Sequence, residues 1–248
     1  MTQTSRIREW TKSAFQLALV FAAVSAAKIA IAEPYYVPSG SMEPTLLIGD
    51  QLLATKYPYG YSTASLPDFL GLPSSSRLFG ALPERGDVVV FRWPGDSKFG
   101  VKRVIGRPGD RIALHAGRLV INGEAVGLRP DGVGHSDLES GFALPAARFI
   151  ETLPGGREHA IFKIVTDGDN MAEVTVPPDH LFVMGDNRDN SADSRVPVAQ
   201  GGVGLLPVGR LVGRVNVLVG SWDHGVQSQP IWTWPSGLRL SRFFASVQ

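Results

Sequence analysis

The sequence predicts a mainly β protein, a multi-sheet antiparallel ectodomain that follows one N-terminal transmembrane helix. Two observations carry this prediction. With Gly 28 and Pro 18 among 248 residues the chain is rich in turns, and its short β-branched runs are bounded by turn residues, as in antiparallel sheets. Residues 14–32, in contrast, form one long apolar run. A mean hydropathy of +0.04 excludes a polytopic membrane protein but allows one such span.

The N-terminal run has the length and the flanks of a membrane anchor. As a helix, residues 14–32 would extend roughly 28 Å at ~1.5 Å per residue, which is about one hydrocarbon core. Three basic residues precede the run and Glu33 follows it. The positive-inside bias therefore places residues 1–13 in the cytoplasm as a tail and residues 33–248 outside it.

Two other interpretations of this run stay open. The Ala30-Ile31-Ala32 sequence resembles the processing site of a cleaved signal peptide. The run is alanine-rich and only moderately hydrophobic, which leaves open a buried helix of a soluble protein. Lys28, which interrupts the run, can snorkel from near the outer end of an anchor.

The remainder of the chain predicts β-strands separated by turns. Asn122-Gly123, between two short apolar runs, is a strong hairpin signal. The predicted strands cover residues 87–91, 101–105, 119–121, 124–126, 160–166, 173–176, 180–184 and 210–219. Residues 60–86 carry leucines and phenylalanines among Pro, Gly and Ser, which indicates an apolar surface loop that either faces a membrane or covers the core.

The composition narrows the classes of function. Lys+Arg 24 against Asp+Glu 23 gives a formal net charge of +1, so no basic field favours nucleic-acid binding. Cys 0 excludes a disulfide scaffold, a cysteine nucleophile and a thiolate zinc site. The chain is long enough to bury a sizeable core without disulfides or a structural metal.

A serine-rich turn follows the apolar run within a few residues. Two prolines and a glycine shape the backbone around Ser39 and Ser41. A rigid turn can expose a nucleophilic hydroxyl and supply nearby backbone N–H donors for an oxyanion. Taken alone, the same stretch is also typical of a plain turn.

A nucleophilic serine needs a base, and none of the five histidines has a suitable sequence context. Lys102 can serve if burial lowers its pKa toward neutrality. Lys102 and Arg103 are neighbours, so on a strand they point to opposite faces and one must meet the apolar side. A solvated surface lysine is the alternative.

A polar stretch over residues 185–195 interleaves turn formers with opposite charges. Asp189, Ser191 and Asp193 have the spacing that begins a calcium loop, but the glycine and glutamate that such a loop requires are missing. A polar loop with an internal Asp193–Arg195 ion pair is the other interpretation.

Four stretches in a fixed order carry more information than any of them alone. They are residues 38–45 (PSGSMEPT), 85–89 (RGDVV), 101–110 (VKRVIGRPGD) and 185–195 (GDNRDNSADSR). Together they resemble the sequence boxes of the bacterial type I signal peptidases, also called leader peptidases.

The resemblance implies a role for each matching residue. Ser41 matches the nucleophile, and Lys102 matches a general base that stays neutral in apolar surroundings. Ser39 matches the hydroxyl that joins the Ser41 backbone N–H in the oxyanion hole. The supporting positions are Ser191, which would orient the lysine, Gly185, where the backbone passes close to the lysine, and the Asp193–Arg195 ion pair.

The resemblance also implies a substrate. Members of the family cleave signal peptides from secretory preproteins after small residues at positions −1 and −3, with the peptide extended between two strands. Gly100 stands where some relatives carry a bulky side chain. The expected substrate-binding residues are Tyr35, Val37, Pro38, Met42, Leu46, Gly100 and Val101.

Further expectations follow from the family. The enzyme would use no metal and no cofactor, would sit in the bacterial cytoplasmic membrane with its catalytic domain outside, and would bind lipid but not nucleic acid. Residues 111–180 resemble the variable inserted subdomain, and the C-terminal tail is a second candidate for membrane contact. The alternatives are a specialised Ser/Lys transfer peptidase that processes pilins, and a catalytically silent, membrane-tethered β domain that binds peptides.

Overall fold

The structure, a computed structural model, describes residues 3–65, 77, 80–96, 98–137, 142–164, 170–226 and 229–247. Its one long helix within these ranges is α1 (Gln3–Ala30). Fourteen strands follow: β1 (Ala32–Tyr36), β2 (Asp50–Thr55), β3 (Val88–Arg92), β4 (Phe99–Gly106), β5 (Arg111–His115), β6 (Arg118–Ile121), β7 (Glu124–Ala125), β8 (Gly127–Asp137), β9 (Ala143–Thr152), β10 (Glu158–Lys163), β11 (Met171–Thr175), β12 (His180–Met184), β13 (Leu206–Pro207) and β14 (Leu211–Ser221).

Short 3-10 helices connect several of these strands. They span Gly40–Met42, Tyr57–Tyr59, Val198–Gln200, Val208–Arg210, His224–Val226, Ile231–Gly237 and Leu240–Arg242. The fold is therefore mainly β, and its strand pairs are antiparallel, as the sequence predicts.

Seven strands form the central sheet, in the order β1-β2-β14-β3-β4-β12-β13. β4 lies inside this sheet, with Lys102 opposite Val89 of β3. β12 pairs with β4 only over its second half, from Arg103 to Gly106. The first half of β4, which ends at Lys102, thus has one edge that β12 does not cover.

Two smaller sheets come from residues 111–175. One has the order β11-β5-β6-β7, and the other the order β10-β9-β8. In the β6–β7 hairpin Asn122 and Gly123 both have positive φ, 55° and 87°, as the predicted two-residue turn requires. At the end of the long β8–β9 pair, the Asp137 backbone N–H donates a hydrogen bond to Glu43, which follows β1 in the chain.

The apolar core joins the central sheet to its neighbours. One cluster contains Ile105 and Phe182 of the central sheet together with Ile112 and Ile121 of the four-stranded sheet. Each fully buried side chain of this size stabilises the fold by roughly 1.5–3 kcal/mol. Because this cluster is shared, the four-stranded sheet packs firmly against the strands that carry the site.

Helix α1 differs from the rest of the chain in exposing its apolar residues. Trp10, Phe15, Leu17 and Phe21 are each at least 70% exposed. Among the residues that the structure describes, no helix combines the length and the hydropathy needed to cross a membrane.

The sequence prediction located most of the core strands. β12 has the predicted bounds, and β3, β4, β10, β11 and β14 overlap the runs assigned to them. β1, β2, β5, β8 and β9 were not predicted. β8 explains why, since its Pro130 and its several glycines disfavour a strand, and long pairing with β9 overrides them. The apolar residues of the predicted 60–86 loop (Leu66, Phe69, Leu70, Leu72, Leu78 and Phe79) lie outside the described residues.

Candidate active site

Ser41 lies in the short 3-10 helix Gly40–Met42, which follows β1 after a brief extended segment. Ser39 caps this helix with extended backbone angles, so the chain turns sharply between the two serines. The Ser39 hydroxyl lies 3.5 Å from the Ser41 hydroxyl. The turn therefore presents both hydroxyl groups to the same space.

Lys102 of β4 points toward this turn. Its Nζ lies 2.6 Å from Ser41 Oγ, although the two residues are 61 positions apart in the chain. Lys102 is 3% exposed, and burial lowers the pKa of its amine to about 8. Within the described part of the chain no carboxylate lies at ion-pair distance from Nζ, so a neutral amine is accessible near neutral pH.

Carboxylates and arginines around Lys102 act on its pKa in opposite directions. The charges of Asp193 and Asp186 raise the pKa of Lys102, whereas Arg195 lowers it. Asp193 is buried and is held by Arg195, whose Nε lies 2.9 Å from Asp193 Oδ1. Burial of the amine lowers the pKa of Lys102 by more than the two carboxylates raise it.

Arg103, next to Lys102, points to the other face of β4 and is also buried. Its guanidinium donates two hydrogen bonds to Asp186, at 2.8 and 2.6 Å, and a third to the Gly86 carbonyl at 2.8 Å. Although burial alone would raise it, Arg103 holds the pKa of the Asp186 carboxyl below its usual range. The sequence predicted that one of the two cations would meet the apolar side, whereas the structure buries both.

Gly185 lies between the serine turn and Ser191. Its N–H donates to Asp193 Oδ2 at 3.0 Å. A Cβ at this position would clash with the carbonyl oxygen of Ser41 and with the side chain of Ser191. Only glycine therefore allows the backbone after β12 to approach the serine turn this closely.

Ser191, the third predicted hydroxyl, forms no hydrogen bond to Ser41 or Lys102. It lines the same cavity as Lys102, but its buried Oγ has no hydrogen-bond partner among the residues described. A buried hydroxyl without a partner is unfavourable by roughly 1–3 kcal/mol. The Ser191 hydroxyl can therefore form a hydrogen bond with a group that enters the cavity, or with the Lys102 amine after a small movement of that side chain.

Two cavities meet at Ser41 and Lys102. The smaller, about 90 Å³, lies between β1 and the first half of β4, where the rings of Tyr35 and Phe99 meet edge to face. The larger, about 920 Å³, extends toward residues 94–96, Lys98 and residues 189–201. The predicted substrate-binding residues that line the smaller cavity are Tyr35, Val37, Pro38, Met42, Gly100 and Val101. Leu46 is fully buried in the core cluster that also contains Val37 and Met42, and it does not line the cavity.

The carboxylates of the polar stretch over residues 185–195, whose spacing only partly matches a calcium loop, are used in protein contacts. Asp189 accepts a hydrogen bond from the Ile164 backbone N–H at 2.6 Å. Asp193 accepts bonds from Arg195 and from Gly185. Its carboxylates therefore hold the loop against its neighbours.

A buried network from the three-stranded sheet also contacts this loop, and no sequence pattern predicted it. Glu151 of β9 accepts two hydrogen bonds from the Arg188 guanidinium, and His159 Nε2 of β10 lies 3.4 Å from Glu151 Oε2. Although burial alone would raise it, Arg188 holds the pKa of the Glu151 carboxyl far below its usual range. A lone charge on a strand normally indicates a solvated surface, which is why these residues were missed.

Glu43 was also missed, although it follows Ser41 by two residues. It is 1% exposed, and its Oε2 accepts a hydrogen bond from the Asp137 backbone N–H at 2.9 Å. Burial raises the pKa of the Glu43 carboxyl to about 7. The serine turn is therefore tied to the end of β8 by a carboxyl group that titrates near neutrality.

Comparisons with known proteins give one consistent family. Residues 7–222 match the family described as signal peptidase, peptidase S26. Among curated proteins, a signal peptidase I of Rickettsia typhi is 35% identical over 265 aligned positions, covering 99% of this chain and 96% of that protein. A signal peptidase I of Rickettsia prowazekii is 36% identical, covering 89% and 87% of the two chains. A crystal structure of a signal peptidase I from Enterococcus faecalis is 22% identical, covers 54% of this chain and 97% of its own, and has a TM-score of 0.32.

Proposed function

Because this chain belongs to the peptidase S26 family of signal peptidases and is a serine endopeptidase that cleaves signal peptides, we propose that Ser41 is its nucleophile and Lys102 its general base. The observation that carries the proposal is the 2.6 Å distance between Lys102 Nζ and Ser41 Oγ. A nucleophile and its base must be within hydrogen-bond reach of each other.

The buried setting of the lysine supports the role of base. With the pKa of Lys102 lowered to about 8, a useful fraction of the amine is neutral near pH 7 and can accept the Ser41 proton. Ser41 Oγ then attacks the carbonyl carbon of the scissile peptide bond and forms a tetrahedral intermediate. The ammonium of Lys102 returns the proton to the leaving amine as the carbon–nitrogen bond breaks.

Water completes the reaction on the acyl-enzyme. Lys102, neutral again, accepts a proton from the water that attacks the Ser41 ester, and the proton returns to Ser41 Oγ as the ester bond breaks. The Ser41 backbone N–H and the Ser39 hydroxyl would stabilise the oxyanion in both steps. Ser191 would orient the lysine amine, while Gly185 and the Asp193–Arg195 pair hold the segment around it.

The strand edges support an extended substrate. β1 is an edge strand of the central sheet, and β12 leaves one edge of residues 99–102 uncovered. A peptide placed between them would add its backbone hydrogen bonds to the sheet. Its alternate side chains would enter the 90 Å³ cavity, a volume of about three water molecules, which suits small residues at positions −1 and −3.

The N-terminal helix would anchor this domain in the bacterial cytoplasmic membrane, with residues 1–13 inside and residues 33–248 outside. The apolar run at 14–32 and the basic residues before it support this arrangement. The described side chains of residues 12–24 are almost all exposed around the helix, which is unfavourable in water but favourable in lipid.

The proposed dyad is tested with the full chain in detergent and a preprotein that carries an Ala-x-Ala site. The wild type is expected to release the mature protein with a new N-terminus directly after the −1 alanine, and Ser41→Ala to release none. Ser241→Ala, an exposed serine far from the turn in sequence, is the matched control and should cleave normally. Turnover by Ser41→Ala at a rate comparable to the control would overturn the assignment.

A further inference from the structure

Gly100 has no conformational reason to be glycine, because its φ lies outside the left-handed region. Glycine is required here because two aromatic side chains lie close to its Cα. A Cβ built on Gly100 would lie 2.7 Å from Cε3 of Trp93 and 2.9 Å from Cζ of Phe91. Such distances require a neighbour to move.

The β3–β4 hairpin sets this contact. Phe91 pairs directly with Gly100, and Trp93, two residues after Phe91, donates its backbone N–H to the Lys98 carbonyl at 2.8 Å. The indole of Trp93 then folds back over Gly100. It stacks on the Phe91 ring with 5.8 Å between ring centroids and an interplanar angle of 26°.

The core beneath the Phe91 ring fixes the position of Trp93. Phe91 is fully buried in the core and cannot move without opening a cavity. Trp93 itself is only partly buried and packs against the edge of the same cluster. Its inner face is therefore fixed, whereas its outer face is free to contact a substrate.

That outer face reaches the reacting groups. Trp93 lines both cavities, together with Ser41 and Lys102, and Lys102 Nζ lies 5.9 Å from the centre of its ring. Since the two cavities meet at the nucleophile, a peptide that crosses from one to the other has its scissile bond beside this indole. The side chain nearest to it in the smaller cavity is the one at position −1.

From these contacts we propose that Trp93 is a specificity-determining residue, which forms the wall that limits the side chain at position −1, and that Gly100 is required because it leaves room for this wall. The inference rests on the proposed function of the site. The pocket wall is thus supplied by the residue after β3, and not by the strand position that faces the substrate. A rigid aromatic wall excludes larger side chains by overlap, so its removal should relax selection and not merely slow cleavage.

The test compares peptides that differ only at position −1, which holds Ala, Val or Leu, with the full-length wild type, Trp93→Ala and Trp93→Phe in detergent. Discrimination by a hydrophobic pocket is worth about 10–200-fold for a small change in size. The ratio of kcat/KM for Val over Ala is expected to rise by about tenfold or more in Trp93→Ala. Trp93→Phe, which keeps most of the wall, should remain close to wild type.

Two further measurements separate the outcomes. Trp232→Ala, which removes a tryptophan that is 78% exposed, should leave the ratio unchanged. If Trp93→Ala cleaves nothing, the same ratio is taken from Trp93→Leu, where a rise is again expected. An unchanged ratio in Trp93→Ala, or in Trp93→Leu where Trp93→Ala is inactive, would overturn the inference. A wild type that cleaves no peptide, or a Ser41→Ala variant that cleaves, would instead overturn the proposed dyad.

Discussion

β4 buries two neighbouring cations on its opposite faces. Lys102 lies on the face toward Ser41, the serine face, and Arg103 lies on the face toward Asp186. Lys102 is 3% exposed and has a serine hydroxyl as its hydrogen-bond partner, whereas Arg103 is 0% exposed and forms a two-bond pair with Asp186. A buried cation that has a carboxylate beside it depends on that carboxylate, because removing one partner of a buried pair destabilises the fold. A buried amine without such a partner has a lowered pKa, which suits the general base that we propose.

The surroundings of Lys102 also include two buried carboxylates, each of which is held by an arginine. Asp193 and Asp186 both raise the pKa of Lys102, and they pair with Arg195 and Arg103 respectively. Arg195 acts in the opposite direction and lowers the pKa of Lys102. The Asp193–Arg195 ion pair therefore limits how far Asp193 raises the pKa of the lysine.

The largest expected effect is on the serine face. Lys102→Arg keeps a cation at this position, but its guanidinium remains protonated at any accessible pH. We expect a loss of kcat by about three orders of magnitude or more for both Lys102→Arg and Lys102→Ala, as for the removal of other members of a catalytic unit. Single-turnover cleavage of an Ala-x-Ala peptide measures the loss.

The control for this prediction is Arg129→Ala, which removes an exposed cation of β8 that lies 3.9 Å from Asp131 and lines neither cavity. Its turnover should be within a few-fold of wild type. If Lys102→Arg cleaved as well as Arg129→Ala, a neutral amine would not be needed, and the contrast between the two faces would have no catalytic meaning.

The second prediction concerns stability, for which a substitution on the Asp186 side of β4 should have the larger effect and one on the serine face the smaller. Asp186→Asn leaves Arg103 buried without its carboxylate, so the free energy of unfolding should fall by about 3–5 kcal/mol. Lys102→Met replaces a buried amine by an apolar chain of similar length and should leave stability unchanged or higher. Thermal or denaturant unfolding in detergent compares the two, and equal losses would remove the distinction between the faces.

The third and smallest effect is a shift in pH dependence. Arg195→Ala removes the guanidinium that lowers the pKa of Lys102 and leaves the charge of Asp193 uncompensated. The pKa of Lys102 then rises, and a larger pH is needed to make the amine neutral. The acid limb of kcat/KM should move from about pH 8 to higher pH, while Arg195→Lys, which keeps the charge, should shift it less. A shift to lower pH would contradict the sign of this interaction.

Much of the site was predictable because its residues lie in short, ordered sequence stretches. Ser41, Lys102, Gly185 and the Asp193–Arg195 pair each stand within one of the four boxes, and the structure brings those boxes together. Strands such as β3 and β12 were predictable for a local reason as well, since β-branched runs bounded by turns specify them.

What could not be predicted depends on contacts between distant parts of the chain. Glu151 and His159 lie in the part of the chain that resembles a variable insertion, and nothing local distinguishes a buried strand carboxylate from a solvated one. The role of Gly100 required the position of Trp93, which only the hairpin register provides. Leu46 shows the reverse case, because the resemblance implied a place in the pocket, whereas three-dimensional packing buries this residue in the core.

The central claim is that burial without a carboxylate partner lowers the pKa of Lys102 to about 8, so that a useful fraction of its amine is neutral at working pH. An NMR titration of the lysine side-chain amines tests this claim most directly. The spectrum is recorded on full-length protein in detergent, with Lys102→Met used to assign the Lys102 signal. We predict one lysine that titrates near pH 8, absent from Lys102→Met and shifted upward in Arg195→Ala. A Lys102 signal that titrates near the ordinary lysine pKa of about 10.4 would contradict it.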